Sequence, residues 1–146
     1  YPSNKGGFEK AFLEFLDKDS KVLKFIKILE FKHDFATISY FRDDGLMASY
    51  YPDFMIETQK NIYLVETKSD KDLKDTNVKQ KQKSTLDFVK RINNLSEELR
   101  EFKTWAYLLL GETQFYSLVK SGADIEDLAN SSKMNESIIT GSLLDI

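Results

Sequence analysis

The chain has 146 residues, a formal net charge of −3, 41% hydrophobic and 13% aromatic residues, and no cysteine. This length and composition support one domain with its own core, and they exclude a disordered chain, a disulfide framework and thiolate metal sites. No run of about 18 apolar residues and no secretory signal is present, so we expect a cytoplasmic protein without a membrane partner. Because the chain starts with Tyr1 rather than Met, we expect a piece excised from a larger protein.

The first 30 residues predict one helix and one ambiguous segment. An amphipathic helix is predicted over residues 8–17, because its apolar residues follow the spacing of a single buried stripe: Phe8, Ala11, Phe12, Phe15 and Leu16. Residues 22–29 are apolar but interrupted by two lysines, and both helix and strand are compatible with them.

The next 40 residues predict an antiparallel meander of three strands. Aromatic and β-branched residues at 34–41 predict the first strand, and a turn follows at 43–45. Residues 47–57 predict the second strand region, with Pro52 at an edge or a bulge. After a turn at 59–61, residues 62–67 predict the third strand.

The second half of the chain predicts a helix, a parallel strand and a short helix. A charged loop at 69–77 leads into a long helix over 77–100, whose inward stripe contains Val78, Thr85, Val89, Ile92, Leu95 and Leu99. A buried strand at 102–110 can return parallel to 62–67 after this crossover. A short helix at 114–121 ends the predicted core of about 8–121, and residues 122–146 are a lid, a docking tail or poorly ordered.

Two carboxylates and an amine stand at the ends of two predicted strands. Glu66 and Lys68 close the strand at 62–67 and project from the same face, because side chains alternate along a strand. If the strand that starts near Asp53 is a neighbour, its carboxylate joins them. Such a cluster can bind a divalent cation and hydrolyse a phosphodiester. The alternative is a pair of ordinary strands with solvated polar ends.

Further residues complete the predicted metal and phosphate sites. Crowded carboxylates repel each other unless a cation lies between them, so we expect Mg²⁺ at Asp53 and Glu66, with Mn²⁺ as a substitute. The carbonyl of Thr67 is a natural oxygen ligand, and its side chain is expected to point away into the fold. Lys68 would add positive charge to the transition state or position the attacking water. Glu9, beside the apolar stripe of the first helix, is the favoured third acid.

A basic stripe between residues 60 and 91 predicts contacts with DNA. It carries nine Lys or Arg residues against five acids, so the rest of the chain sums to −7. Lys81 and Gln82 fall on the inward stripe of the long helix, where a phosphate or the carboxylates would satisfy them. Lys71 and Lys79 belong to the same stripe. A lysine-rich solvated face is the alternative. For His33, the only histidine, we expect a structural role.

These motifs resemble the PD-(D/E)-x-K nuclease superfamily over residues 8–110. The pattern is also similar to the C-terminal endonuclease domain of type III restriction enzymes, through the following segments: Phe8-Glu9-Lys10-Ala11-Phe12, Tyr51-Pro52-Asp53-Phe54, Tyr63-Leu64-Val65-Glu66-Thr67-Lys68, Asp75-Thr76-Asn77-Val78 and Lys81. The resemblance implies an α/β (α+β) fold with a restriction-endonuclease-like core, in which helices flank a mixed central sheet.

The resemblance also implies an activity and partners. Asp53 and Glu66 would be metal ligands, Lys68 the catalytic lysine and Glu9 the helix acid of a Mg²⁺-dependent endonuclease that cuts double-stranded DNA. The implied partners are a helicase-like motor of the same polypeptide, which would bind ATP outside this chain, and a methyltransferase subunit that recognises the DNA sequence. The alternatives are a nuclease domain of a type I-like or repair system, and a non-catalytic domain for DNA docking or assembly.

Overall fold

A four-stranded mixed sheet lies between helices in the computed structural model, which describes residues 4–28, 38–42, 44–74 and 76–132. In chain order the elements are α1 (Asn4–Lys18), β1 (Val22–Lys27), β2 (Ile38–Phe41), β3 (Met47–Tyr50), β4 (Phe54–Thr58), β5 (Asn61–Lys68), α2 (Thr76–Asn93), β6 (Thr104–Gly111), α3 (Glu112–Lys120) and α4, which includes residues 125–132. The predicted α/β class with a mixed sheet is confirmed. Within these ranges, none of the helices has the length and hydropathy that a membrane span requires.

The sheet has the strand order β1-β4-β5-β6, and its two halves run differently. β4 pairs antiparallel with β1 and with β5, whereas β5 and β6 are parallel neighbours connected through α2. The parallel pairing of β5 and β6 confirms the predicted crossover. Its register places Leu64 opposite Tyr107 and Glu66 opposite Leu109.

One face of the sheet is covered by α1, α3 and α4 and is built from apolar side chains. Phe12 is fully buried there, and its ring centroid lies 5.1 Å from that of Phe54 and 5.7 Å from that of Phe115. The predicted stripe of α1 is confirmed, because Phe8 and Leu16 join Phe12 in this cluster. Burial of several such rings supplies a large share of the folding free energy.

The other face is covered by α2 and by the two-stranded hairpin β2–β3. Its apolar residues form a second cluster that includes Ile38, Tyr50, Leu64, Val89 and Tyr107. Buried polar side chains also lie here: Glu66 is 4% exposed, Gln82 is 7% exposed and Thr85 is fully buried. This face therefore holds the polar groups that a simple apolar core would exclude.

The predicted three-strand meander is wrong. Among the described strands, β3 pairs with β2 alone in a separate hairpin, whereas β4 joins β5 and β1 in the main sheet. Pro52 separates the two strands, because it is buried and has no backbone N–H to offer a sheet partner. The ambiguous segment at 22–29 supplies β1, and the predicted strand at 34–41 is a strand in its described part, β2.

The long helix predicted over 77–100 is also wrong at its end, because α2 stops at Asn93. The Asn93 side-chain amide donates to Trp105 O, and its carbonyl accepts from Trp105 N, both at 2.8 Å. Leu95 and Leu99, predicted on the inward stripe, are 48% and 73% exposed. The Asn93 side chain thus hydrogen-bonds to the backbone of β6, and the chain leaves the helix axis at this residue.

The core continues beyond residue 121, where we predicted its end. Ile125 and Leu128 on α4 are fully buried, and both belong to the apolar cluster with α1 and α3. Asp19 accepts from the Ile125 N–H at 2.8 Å, and Ser132 accepts from the Leu109 N–H at 3.3 Å. α4 therefore packs as part of the domain. His33 and residues 133–146 of the predicted tail at 122–146 lie outside the described residues.

Candidate active site

The start of β4 and the end of β5 bring Asp53 and Glu66 to the same end of the sheet. Phe54 pairs with Val65 at the last position of the antiparallel ladder, so Asp53 precedes that pair as Glu66 follows it. The Ile28 N–H donates to the backbone carbonyl of Asp53 at 2.8 Å and fixes the chain where it enters β4. The predicted proximity of the two strand ends is therefore present.

Thr67 holds the Asp53 carboxylate through two hydrogen bonds. The Thr67 backbone N–H and hydroxyl both donate to Asp53 Oδ2, at 2.8 Å and 3.0 Å. The expectation that the Thr67 side chain points away from the site is therefore wrong for its hydroxyl. Asp53 lies just outside the paired part of β4, so its carboxylate can reach this neighbouring residue.

Glu66 and Lys68 form an ion pair at the end of β5. Lys68 Nζ lies 3.2 Å from Glu66 Oε1, and the two side chains are 24% and 5% exposed. Within the described ranges, the other oxygen of this carboxylate, Oε2, is buried and has no hydrogen-bond partner. An unpaired buried carboxylate oxygen is costly, so it favours a bound cation or donor.

The three groups act on one another electrostatically. Burial raises the pKa of Glu66 to about 7, and the Asp53 charge adds to this rise, while Lys68 opposes it. Burial also raises the pKa of Asp53 against the opposing hydrogen bonds from Thr67. For Lys68, burial lowers the pKa, but the Glu66 and Asp53 charges outweigh it and leave the pKa raised. Two carboxylates are thus held where full ionisation is unfavourable without a nearby cation.

This donor set fits a hard divalent cation. Mg²⁺ prefers oxygen ligands and retains several waters, so two carboxylates and a backbone carbonyl are sufficient protein ligands. The unpartnered Oε2 of Glu66 is the observation that supports this fit. In the part of the chain that the structure describes, no three His, Cys, Asp or Glu side chains are placed to hold one metal ion together.

Glu9, the predicted third acid, forms an ion pair with Lys27 of β1. Lys27 Nζ lies 2.8 Å from Glu9 Oε2, and β1 places Lys27 opposite Phe54, next to Asp53. The negative charge of Glu9 contributes to the raised pKa of Asp53, so the two acids are within electrostatic reach. A role for Glu9 as a metal ligand stays a prediction. Lys27 was missed in the sequence because nothing local distinguishes it from other lysines.

The predicted DNA-contact residues divide into two groups. Lys81 is half-buried, and its positive charge lowers the pKa of Glu66, while Gln82 is buried as predicted for the inward face of α2. Lys71 and Lys79 are exposed to solvent. Of these residues, Lys81 therefore acts electrostatically on the site carboxylate Glu66. Two residues that sequence reasoning left without a role, Tyr40 and Tyr50, contact the Lys81 ammonium with their rings.

Residues 26–127 match a family model described as the TnsA-like endonuclease N-terminal domain. The chain belongs to this family. The family is part of the restriction-endonuclease-like, PD-(D/E)xK superfamily, so the resemblance to that superfamily is confirmed and the chain is a nuclease module of this type. No curated protein and no solved structure matches the chain. The matched range includes Asp53, Glu66 and Lys68, whereas Glu9 lies outside it.

Proposed function

We propose that this domain is a Mg²⁺-dependent endodeoxyribonuclease that hydrolyses phosphodiester bonds of double-stranded DNA. Asp53, Glu66 and the carbonyl of Thr67 would hold the metal ion, and Lys68 is the catalytic lysine. The observation that carries the proposal is the cluster of buried Glu66 with half-buried Asp53 and Lys68 where β4 starts and β5 ends. Bound Mg²⁺ would supply positive charge to the phosphate and acidify water.

The residues of the chain have separable tasks in this reaction. Hydrolysis adds a water oxygen to phosphorus and breaks the bond to one ester oxygen, so negative charge increases on the phosphate oxygens. The Glu66 and Asp53 charges raise the pKa of Lys68, which favours its ammonium form, and this ammonium would donate to the increasing charge. Thr67 orients Asp53 through its N–H and hydroxyl. Lys81, Gln82, Lys71 and Lys79 would contact the DNA backbone.

Cleavage of supercoiled plasmid DNA tests the proposal. We expect nicking with Mg²⁺ or Mn²⁺ and none with EDTA, and a loss of about 10²–10³-fold or more in Asp53→Asn and Lys68→Met. Asp87→Asn and Lys120→Met are matched controls, because both residues are exposed and lie on helices away from the strand ends. Full nicking by Asp53→Asn would refute the site. Tight duplex binding with no cleavage under any metal would instead favour the non-catalytic docking domain.

A finer proposal concerns the larger protein to which this domain belongs. The motif run from Tyr51 to Lys81 supports the cleavage domain of a type III restriction subunit, joined to a helicase-like motor and paired with a methyltransferase. The matched family is described by TnsA-like endonucleases rather than by type III enzymes. A nuclease domain of another DNA-processing system, type I-like or repair, is therefore the second candidate. Helicase motifs in the full-length gene and an adjacent methyltransferase gene would separate the two.

A further inference from the structure

The ammonium of Lys81 lies against the faces of two neighbouring tyrosine rings. Its Nζ is 5.4 Å from the ring centroid of Tyr40 and 5.3 Å from that of Tyr50. The two rings meet edge to face, with centroids 5.7 Å apart and an interplanar angle of 84°. Both distances are within the range of about 6 Å at which the face of an aromatic ring attracts a cation. Two strands of the hairpin thus supply one aromatic wall each.

The wall formed by Tyr50 is fixed to the helix that carries Lys81. Its hydroxyl donates to Thr85 Oγ1 and lies 3.3 Å from the backbone carbonyl oxygen of Lys81. Thr85 is fully buried and donates to the same carbonyl at 2.8 Å. Tyr50 therefore holds the turn of α2 from which the Lys81 side chain extends. Tyr40 reaches the ammonium from the adjacent strand.

This arrangement keeps Lys81 near Glu66 without pairing the two. The Lys81 charge acts on Glu66, yet among the described residues the ion pair of Glu66 is with Lys68, and Lys81 takes part in none. A lysine side chain has a flexible stem of four carbons, so without the rings the Lys81 ammonium could form an ion pair with a nearby carboxylate. The two rings offer it a weaker, fixed position. An ammonium held in this way remains able to meet an incoming anion.

We propose that Tyr40 and Tyr50 are positioning residues that hold the Lys81 ammonium for a phosphate oxygen of the DNA strand being cut. The proposal rests on the proposed nuclease function and adds to it the residues that place the phosphate-binding cation. The tyrosines act through Lys81 and not on the DNA. The property of Tyr40 that holds the Lys81 ammonium is therefore its aromatic face. Neither its hydroxyl nor its apolar volume is required.

A double-mutant cycle tests this dependence. We expect Tyr40→Leu to lower kcat/KM for DNA cleavage, and affinity for a short duplex in Ca²⁺, by about 3- to 10-fold, while Tyr40→Phe stays close to wild type. In a Lys81→Met background, Tyr40→Leu should have no further effect, because the cation is gone. Tyr116→Leu, a half-exposed tyrosine on α3, is the matched control. An equal loss from Tyr40→Leu in both backgrounds would overturn the proposal.

An NMR measurement without DNA separates this proposal from the nuclease function. Ring currents of the two tyrosines should shift the Lys81 Hε resonances upfield, and Tyr40→Leu should remove much of that shift while Tyr40→Phe keeps it. Unshifted Lys81 resonances in the wild-type protein would overturn the positioning role of the two tyrosines, even if cleavage depends on Asp53. If the wild type shows the upfield shift but no metal-dependent cleavage, that result would contradict the proposed nuclease function and not the role of the tyrosines.

Discussion

The two faces of the central sheet bury side chains of different kinds. The face under α1, α3 and α4 holds phenylalanines and aliphatic residues from six elements in one cluster. The face under α2 and the β2–β3 hairpin has a smaller cluster and also buries Glu66, Gln82 and Thr85. Alternation along β5 divides the two, since Tyr63 and Val65 join the first cluster and Leu64 joins the second.

The difference indicates a division of tasks between the faces. Apolar burial is the main favourable term in folding, and the first face contributes most of it. Burying a carboxylate disfavours its charged form, so the second face gives up stability at Glu66. We infer that α1, α3 and α4 hold the sheet together while α2 and the hairpin shape its chemistry. Four substitutions test this division between the faces.

The largest effect is expected on the apolar face, from Phe12→Ala. Its ring is fully buried among Phe54, Phe115 and Phe15, so truncation should lower the free energy of unfolding by about 3–5 kcal/mol. Urea unfolding followed by circular dichroism measures it. Phe12→Leu is the milder control. A loss below about 1 kcal/mol for Phe12→Ala would mean that this cluster does not carry the fold.

The second effect is expected at Glu66, where substitution should raise the free energy of unfolding instead of lowering it. Its pKa is raised from 4.5 to about 7, so between these values the folded protein keeps a proton that the unfolded chain has released. The free energy of unfolding should therefore fall as pH rises through this window, by up to about 3 kcal/mol. Glu66→Gln should flatten the pH dependence and raise stability at pH 8.

Metal provides the control for this pH experiment. A divalent cation binds the ionised carboxylate, so Mg²⁺ should stabilise the wild type more at pH 8 than at pH 5 and should have little effect on Glu66→Gln. Melting temperatures across the pH series, with and without Mg²⁺, measure both. A wild-type stability that rises between pH 5 and 7 would contradict the buried state of Glu66.

A smaller loss is expected from Asn93→Ala, at the end of α2. The Asn93 side chain satisfies both the N–H and the carbonyl of Trp105 on β6, an edge strand of the sheet. Removing it should cost about 1–2 kcal/mol, because two backbone groups lose their partner. Hydrogen exchange at the Trp105 amide should accelerate in parallel. Unchanged exchange there would mean that Asn93 does not protect this edge.

The smallest effect on stability is expected from Glu9→Gln. Its partner Lys27 is 49% exposed and Glu9 is 34% exposed, so the ion pair should contribute less than about 1 kcal/mol. Thermal unfolding and Mn²⁺ affinity should be compared in the same variant. If Glu9 helps to hold the metal ion, affinity will fall several-fold while stability barely changes. Equal Mn²⁺ affinity in both proteins would assign Glu9 to the ion pair alone.

Features with a local pattern were predictable from the sequence. The stripe of α1, the strand that ends at Glu66 and Lys68, and the parallel return of β6 each follow from apolar spacing and connection length. Buried α4 was missed although Ile125, Leu128 and Ala129 repeat at helical spacing. Its start also carried a signal, because Asp124 and Asp127 each accept the N–H of the other.

Features that depend on distant parts of the chain were not predictable. Leu95 and Leu99 continue the apolar spacing of α2. The helix stops before them because the Asn93 side chain hydrogen-bonds to the backbone of β6. The contact of Tyr40 with Lys81 joins residues on a hairpin and a helix, and neither segment alone specifies it. The position of Lys27 beside Asp53 follows from the pairing of β1 with β4, which the sequence left open.

Binding of Mn²⁺ in the absence of DNA tests the cation pocket most directly. Electron paramagnetic resonance counts free Mn²⁺, so titration of wild type, Asp53→Asn, Glu66→Gln and the control Asp87→Asn gives the affinity of each protein. We predict saturable binding by the wild type and the control, with at least a tenfold loss in each of the other two variants. Identical Mn²⁺ binding by all four proteins would contradict the account.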